Sequence, residues 1–459
     1  MEKTLLTIGP RPTVIRDRPR KKLFLLTGFF LVMMWVWLIT MAYDSFRICS
    51  PQLKFFNRLN SWHGDGELST GVNSVLESVK AANASLKQVC YYWVPRNGSD
   101  VGGFLTPRDI DPNICTHIIV SCAKIQNNTI VPLAKEHTKV YSEVVNLKKQ
   151  NPNLLVLLCL AEGFESLVRD QEAVAIFAFN AYQFLVSHGF DGLDLDWEFP
   201  GWPAWKKDSR EREQFTYLVL QLNNALKLAS HPPLKLSLAV GTPQSIVDSS
   251  YEVPELAKNV DFVSLMGYDY HMFQSYMPFT GHNSPLTPSL NEIGLLATLN
   301  IEWTANYWVE KGMPKEKIVI GIPTYGRSWK LLSEDWYNVG APAVGSGILN
   351  GVLSYTEACI FVKEGATRYF DSYCQVPFSV RERDWVSYED KESITAKAKW
   401  VKDNGFAGVM TWNLNSDDWA GLCHGNNEHG PRQCAFSCVD WRSRTTKYNC
   451  QHLCLVPIG

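Results

Sequence analysis

The sequence predicts an α/β fold, a (β/α)8 barrel, on three observations. Eight short β-rich runs recur over roughly 330 residues, helical stripes fill some of the gaps, and several runs are near-continuously apolar. Unbroken apolar runs suit parallel strands covered on both faces. In chain order the runs are Val89–Trp93, His117–Cys122, Leu154–Leu160, Phe190–Trp197, Leu234–Val240, Phe262–Gly267, Ile318–Ile322 and Ala407–Trp412. Between the third and fourth, Ala173–Leu185 reads as an apolar helix, with Gly189 as its C-terminal cap. Between the fourth and fifth, Phe215, Leu218, Val219, Leu222 and Leu226 form a stripe at helical spacing. The gap between strands seven and eight is far longer than the others, so a small α+β insertion is expected at about 329–388.

Composition agrees with a folded chain. Of 459 residues, 46% are apolar and 20% charged, which excludes wholesale disorder. Lys plus Arg (44) against Asp plus Glu (46) leaves −2, a balance that argues against nucleic acid as a partner. The 16 Trp, 18 Tyr and 22 Phe serve either core packing or stacking against sugars.

Ahead of the barrel, residues 23–43 are an uncharged apolar run, long enough to cross a hydrocarbon core of about 30 Å. Arg11, Arg16, Arg18, Arg20, Lys21 and Lys22 precede it, whereas only Arg47 follows closely. The positive-inside bias predicts a type II signal-anchor with residues 1–22 as a cytoplasmic basic tail. The alternative is secretion after cleavage of the N-terminal segment, but the run is long for a signal peptide and no small-residue cleavage site follows. Residues 44–86 read as a stalk, 87–425 as the barrel and 426–459 as a Cys-rich tail. Sequons at Asn83, Asn97 and Asn127 all fall beyond the apolar run, on the extracellular or luminal side. Twelve cysteines fit an oxidising compartment. The tail pairs Cys434/Cys438 and Cys450/Cys454 have spacings open to zinc or to disulfides, and the compartment favours disulfides.

The fourth run carries the chemistry. It reads Phe190-Asp-Gly-Leu-Asp-Leu-Asp-Trp-Glu198, and Asp194, Asp196 and Glu198 alternate so that on a strand all three share one face. Three crowded carboxylates on the inward face of a barrel repel one another and lose solvation. Their proton affinities are driven apart, and some stay protonated near neutral pH. General acid catalysis needs that state. A divalent-cation site is the competing use of such a cluster, and the rigid strand suits it poorly. No metal and no cofactor is expected.

This motif resembles the signature of glycoside hydrolase family 18, the chitinases and chitinase-like lectins. The resemblance runs from about Gln88 to Cys423 and takes in Met266-Gly-Tyr-Asp-Tyr-His271, Thr280-Gly-His-Asn-Ser-Pro-Leu286, Ile320-Gly-Ile-Pro-Thr-Tyr-Gly-Arg-Ser328, Val339-Gly-Ala-Pro-Ala343 and Met410-Thr-Trp412. It implies that Glu198 protonates the glycosidic oxygen and later activates water, while Asp196 orients the substrate's N-acetyl group, supported by Asp194. The acetamido oxygen would be the nucleophile, an exception to the two-carboxylate scheme. Tyr268 would bind that oxygen, Asp269 and Arg327 would contact the sugar, and Trp412 would floor the site. Tyr325 is open between substrate contact and core packing. The resemblance also implies disulfides Cys90–Cys115 and Cys359–Cys423, each contributing about 2–4 kcal/mol. Cys122 and Cys159 sit near the ends of neighbouring strands, Cys49 could be acylated or link two chains, and Cys374 has no assigned partner.

Several positions depart from the family pattern. A Ser/Ala-x-Gly-Gly-Trp stretch on strand three is replaced by Cys159-Leu-Ala-Glu-Gly163, and Tyr-Ala-Phe-Ala on strand two by Val120-Ser-Cys-Ala123. An aromatic platform is thereby lost, and Glu162 there reads as a solvated loop charge, with a new sugar contact as the alternative. The Trp expected after Cys90 is displaced to Trp93 or replaced by Pro95, and Phe273 or Tyr276 could substitute for another platform. The expectation is a membrane-anchored, retaining, substrate-assisted hydrolase of β-1,4-linked N-acetylglucosamine oligomers or chitin. The alternative is a non-catalytic chitinase-like lectin for N-acetylated glycans.

Overall fold

A computed structural model of the chain describes residues 86–95, 104–228 and 233–423. Eight parallel strands close on themselves in the order β1 (Lys87–Trp93), β2 (His117–Gln126), β4 (Leu155–Glu162), β5 (Gly192–Leu195), β6 (Lys235–Val240), β7 (Phe262–Leu265), β8 (Ile318–Pro323) and β15 (Gly408–Trp412), with β15 pairing back to β1. All eight expected strands are present. Burial explains their composition: every residue of β8, Ile-Val-Ile-Gly-Ile-Pro, is shielded. β3 (Thr129–Pro132) folds back antiparallel on β2. The turn between them places Asn127 and Asn128 at φ 52° and 54°, the left-handed region in which Asn is tolerated, and leaves Asn127 exposed.

Helices wrap the sheet: α1 (His137–Val145), α2 (Phe164–Leu167), α3 (Gln171–His188), α4 (Glu211–Leu228), α5 (Gln244–Ser250), α6 (Val253–Asn259) and α7 (Ile301–Glu310). Asp170 caps α3 by accepting the backbone N–H groups of Glu172 and Ala173, at 2.9 and 3.3 Å. Gly189, at φ 75°, ends it as expected. On α4 the stripe Phe215, Leu218, Val219, Leu222 and Leu226 is buried against the barrel.

Between β8 and β15 the chain builds a second, antiparallel sheet with the path β10 (Ala343–Ser346), β9 (Tyr325–Leu331), β14 (Asp384–Ser387), β13 (Val376–Arg381) and β12 (Thr367–Asp371); β11 (Val352–Ser354) also pairs β9. Helix α8 (Tyr355–Lys363) packs on it, and α9 (Lys391–Asp403) leads back to β15. The insertion therefore begins at Tyr325, four residues before the expected Trp329, because a single residue, Thr324, separates β9 from β8. Its core is aromatic: Trp329 and Trp385 are fully buried and meet edge to face, centroids 5.2 Å apart. Buried Lys397 of α9 binds Glu389 and the carbonyl of Ser284, tying the return helix to the loop after β7.

Two bonds follow the pairs that the resemblance implied, Cys90–Cys115 and Cys359–Cys423, and a third joins Cys122 to Cys159. Cys374 is buried and unbridged. Among the described residues no helix is long and apolar enough to cross a membrane. The apolar run 23–43, the stalk, Cys49, the sequons at Asn83 and Asn97, and the tail 426–459 lie outside the described residues.

Candidate active site

Strand β5 is shorter than its alternating sequence suggested: it spans Gly192–Leu195, not Phe190–Trp197. Asp196 makes one further ladder bond, its N–H to the carbonyl of Leu160 at 2.8 Å. After that the chain turns out of the sheet toward Pro200 and Gly201, so Glu198 sits on the loop at the barrel mouth rather than on the strand. The three carboxyls thus form a graded column. Asp194 is fully buried, Asp196 nearly so, and Glu198 reaches solvent.

Each level has its own chemistry. Asp194 accepts from the Tyr91 hydroxyl at 2.7 Å and from Ser237 Oγ at 2.6 Å. Burial nonetheless pushes its carboxyl up to about 6, the two donors working against the rise. Asp196 is buried with Oδ1 lacking any hydrogen-bond partner among the described residues. Burial first, then the charges of Glu198 and Asp194, hold it well above the usual carboxylate range. Glu198 is raised by the surrounding walls and then by the charge of Asp269.

The other expected residues gather around this column. Tyr268 and Asp269 lie three and four residues past the end of β7. Asp269 has the left-handed φ of 59°, and several bonds hold it there. Its N–H donates to Asn283 Oδ1 at 3.0 Å, while its Oδ1 accepts from Tyr325 Oη and Arg327 Nε, both at 2.7 Å. Tyr325 and Arg327 belong to β9, so the insertion supplies the clamp on Asp269. Tyr325 also packs edge to face on Tyr268, with centroids 6.0 Å apart. Trp412 ends β15, its ring 5.3 Å from Tyr91 and 6.4 Å from Trp93. Trp93 is 48% exposed at the rim and is fixed by two backbone hydrogen bonds to the Asn415 amide, at 2.8 and 3.0 Å.

These groups surround a cavity of about 380 Å³ lined by Tyr91, Asp196, Glu198, Tyr268, Asp269, Tyr325 and Trp412, with Phe199, Ala239, Met266 and Met272 among its apolar walls. Its volume and its mix of aromatic surface with a few convergent polar groups are those of a small-molecule site. Asp194, Arg327 and Trp93 stand just behind or beside the lining. A depression of about 290 Å³ outside the barrel, between α3 and α4, is lined by Ala175, Phe179, Tyr182 and Gln221 among others and carries no carboxylate.

Sequence reasoning missed Tyr91 and Ser237, the two donors to Asp194. Both had a signal. Tyr91 shares its parity on β1 with inward-facing Val89, and Ser237 is the one polar residue in Leu236-Ser-Leu-Ala-Val240, level with Asp194 in the register. Phe273 packs into the aromatic core of the insertion, whereas Tyr276 is 81% exposed, so they are not equivalent platforms. Glu162 is exposed at the end of β4. Behind it Gly163, at φ 95°, lies where a Cβ would come within 2.3 Å of the Ile125 carbonyl. As for metal-ligating clusters, Cys122, Cys159 and Asp196 come together, as do His282, Asp371 and Cys374. In the first the sulfurs are bonded to each other. In the second the Asp371 carboxylate is already engaged by His282 and by the N–H groups of Tyr373 and Cys374.

A barrel with an antiparallel insertion after strand seven and an acid column at its mouth defines a class of carbohydrate-active proteins. The chain belongs to glycosyl hydrolases family 18, whose model matches residues 87–417. It is 37% identical to mouse (Mus musculus) chitotriosidase-1 over 356 residues, covering 74% of this chain and 75% of that protein. The fold is similar to that of an immunomodulatory active chitinase from Trichuris suis, with TM-score 0.71 and 32% identity over 77% of this chain and 98% of that one. It is also similar to human YKL-39, a pseudo-chitinase with retained chitooligosaccharide binding properties, with TM-score 0.69 and 35% identity over 74% and 95%.

Proposed function

We propose that the chain is a retaining, substrate-assisted glycosidase of the chitinase type, acting on β-1,4-linked N-acetylglucosamine oligomers. The observation that carries the reading is the column Asp194–Asp196–Glu198, whose outermost acid, its proton affinity raised by burial, opens onto an aromatic-lined cavity. In this reading the sugar's acetamido oxygen attacks C1 while Glu198 gives its proton to the departing glycosidic oxygen. The resulting oxazolinium is opened by water, and Glu198 takes the water's proton back. Asp196, ionised in the active form, holds the acetamido N–H and offsets the positive charge that develops. Tyr268 contacts the acetamido group, Asp269 and Arg327 bind the sugar, and Trp412 supports its apolar face. Trp93 extends that floor at the rim.

The test is turnover of fluorogenic chitobiose and chitotriose substrates. The wild type should cleave both, with a bell-shaped profile whose acid and alkaline limbs belong to the coupled Asp196–Glu198 pair. Since both are raised, the optimum lies above the ordinary carboxylate range of about 4. Glu198→Gln should lose turnover by a factor on the order of 10² to 10⁴. No release of product by the wild type between pH 4 and 8 would overturn the reading.

A lectin reading has its own observation: the β2–β4 side of the cleft presents Glu162 and a disulfide where stacking surface was expected. It predicts oligosaccharide binding without reducing-end release. On sequence grounds we also propose that residues 23–43 anchor the protein as type II, with the barrel outside the cytosol and glycan on Asn83, Asn97 and exposed Asn127. Protease protection and glycosidase-induced mass shifts of the full chain in microsomes test this.

A further inference from the structure

The Cys122–Cys159 disulfide lies beside the acid column. Cys122 is on β2 and Cys159 on β4, which are neighbouring strands, and their Cα atoms are 4.6 Å apart. The register sets Cys159 level with Asp194. Cys159 is fully buried, while Cys122 is half-buried with Ser121 Oγ 2.8 Å from its sulfur. Both pack in the inward layer that also holds Tyr91, Tyr268 and Trp412. The two sulfurs and a carboxylate oxygen of Asp196 all lie within 4.8 Å of one another. Asp196 Oδ1 is the buried oxygen that lacks a partner.

A disulfide sulfur carries no proton, whereas each thiol carries one. We propose that the Cys122–Cys159 disulfide positions Asp196, and that its reduction hands this carboxyl a hydrogen-bond donor it otherwise lacks, so that the acid site responds to redox conditions. The inference rests on the glycosidase reading of the site. Reduction by a small dithiol breaks the S–S bond. The pair gains two electrons and two protons, and the reductant leaves as its own cyclic disulfide. One S–H then turns toward Asp196 and favours the ionised carboxylate. The other titratable groups facing Asp196 bring no positive charge to do this. They are Asp194 and Glu198 on its own segment, Tyr91 from β1, Tyr268 after β7, and Tyr251 just beyond α5. The guanidinium of Arg327 is engaged by Asp269.

Four forms of the full chain test the proposal: oxidised wild type, wild type opened with dithiothreitol, Cys122→Ser/Cys159→Ser, and Cys122→Ala/Cys159→Ala. Alkylation mapping by mass spectrometry identifies the opened pair, and a Cys90→Ser/Cys115→Ser chain controls for reduction elsewhere. Two pH profiles are read. One is kcat and KM on fluorogenic chitotriose. The other is quenching of tryptophan fluorescence by tetra-N-acetylchitotetraose, which needs no turnover. Reduction and the Ser pair, which keeps two donors, should lower the acid-side limb of both profiles by about half a pH unit or more. The Ala pair, with no donor, should keep the wild-type limb. Equal limbs in all four forms, or equal shifts for the Ser and Ala pairs, overturn the proposal. If either double variant fails to fold, oxidised against reduced wild type decides by the same limb. A shifted binding limb in a protein without turnover would retain the proposal and sink the glycosidase reading; normal turnover with an unmoved limb would do the reverse.

Discussion

The wall of the cleft built by β5, β7 and β15 and the wall built by β2 and β4 share one sheet but differ in kind. The first carries Asp196 and Glu198, Tyr268 with Asp269, and Trp412; Tyr325 and Arg327 clamp Asp269, and Trp412 packs against Tyr91. The second ends in exposed Glu162 and in a covalent bridge between Cys122 and Cys159. Proton transfer needs groups held to tenths of an ångström, whereas grip on a long polymer needs flat surface spread along the cleft. Under the proposed function the first requirement falls to the β5–β7–β15 wall, and the second is relaxed on the β2–β4 wall. That reading points to short oligomers rather than to extended chitin.

That contrast can be broken or sharpened by substitution. Beyond the loss of turnover on Glu198→Gln, the largest effect is expected in stability, from the deep end of the acid wall. Asp194 folds with its carboxyl raised from 3.8 to about 6, so the folded state holds this proton more tightly than the unfolded state. Its contribution is complete below pH 3.8 and is lost as pH rises to about 6, a change of about 3 kcal/mol. Relative to Asp194→Asn, the unfolding free energy of the wild type should therefore fall between pH 4 and 7, as denaturant titration would show. A constant difference across that range would remove the cost assigned to burying this group.

Next in size is Trp412→Ala, which should weaken chitotriose binding by about 1–3 kcal/mol, the range for a flat ring stacked on an aromatic. Calorimetry checks it, and an unchanged affinity would mean the sugar does not lie on that face. Smallest is Glu162→Trp, which restores a platform to the β4 wall. It should tighten tetramers and longer oligomers by about 0.5–1.5 kcal/mol while leaving the dimer unchanged. Equal gains for short and long ligands would contradict the assignment of the two walls.

Which parts were legible in the sequence follows from what periodicity records. The barrel strands were readable because burial on both faces leaves unbroken apolar runs such as Ile318–Ile322. The acid column was readable because carboxylates at inward parity have no packing use. Its geometry was not: alternation continues through Asp196-Trp197-Glu198 although the hydrogen-bonded strand stops at Leu195, and nothing in a two-residue period marks where a ladder ends. Tyr91 and Ser237 looked like ordinary strand residues, since a buried donor and a packing residue share one pattern until a partner across the barrel distinguishes them. The clamp of Tyr325 and Arg327 on Asp269 joins residues more than fifty apart, and only the closed insertion brings them together.

One residue, Thr324, separates the seventh barrel strand, β8, from the first strand of the insertion, β9. Its N–H donates to the Trp412 carbonyl and its hydroxyl to that of Asn413. The two sheets are therefore hinged on a joint without slack, pinned to the tryptophan that floors the cavity. Excising the appended sheet to obtain a minimal barrel would not trim an ornament. It would unseat the tryptophan and release Asp269 in one cut, so the smallest unit that keeps the site together is the two-sheet body.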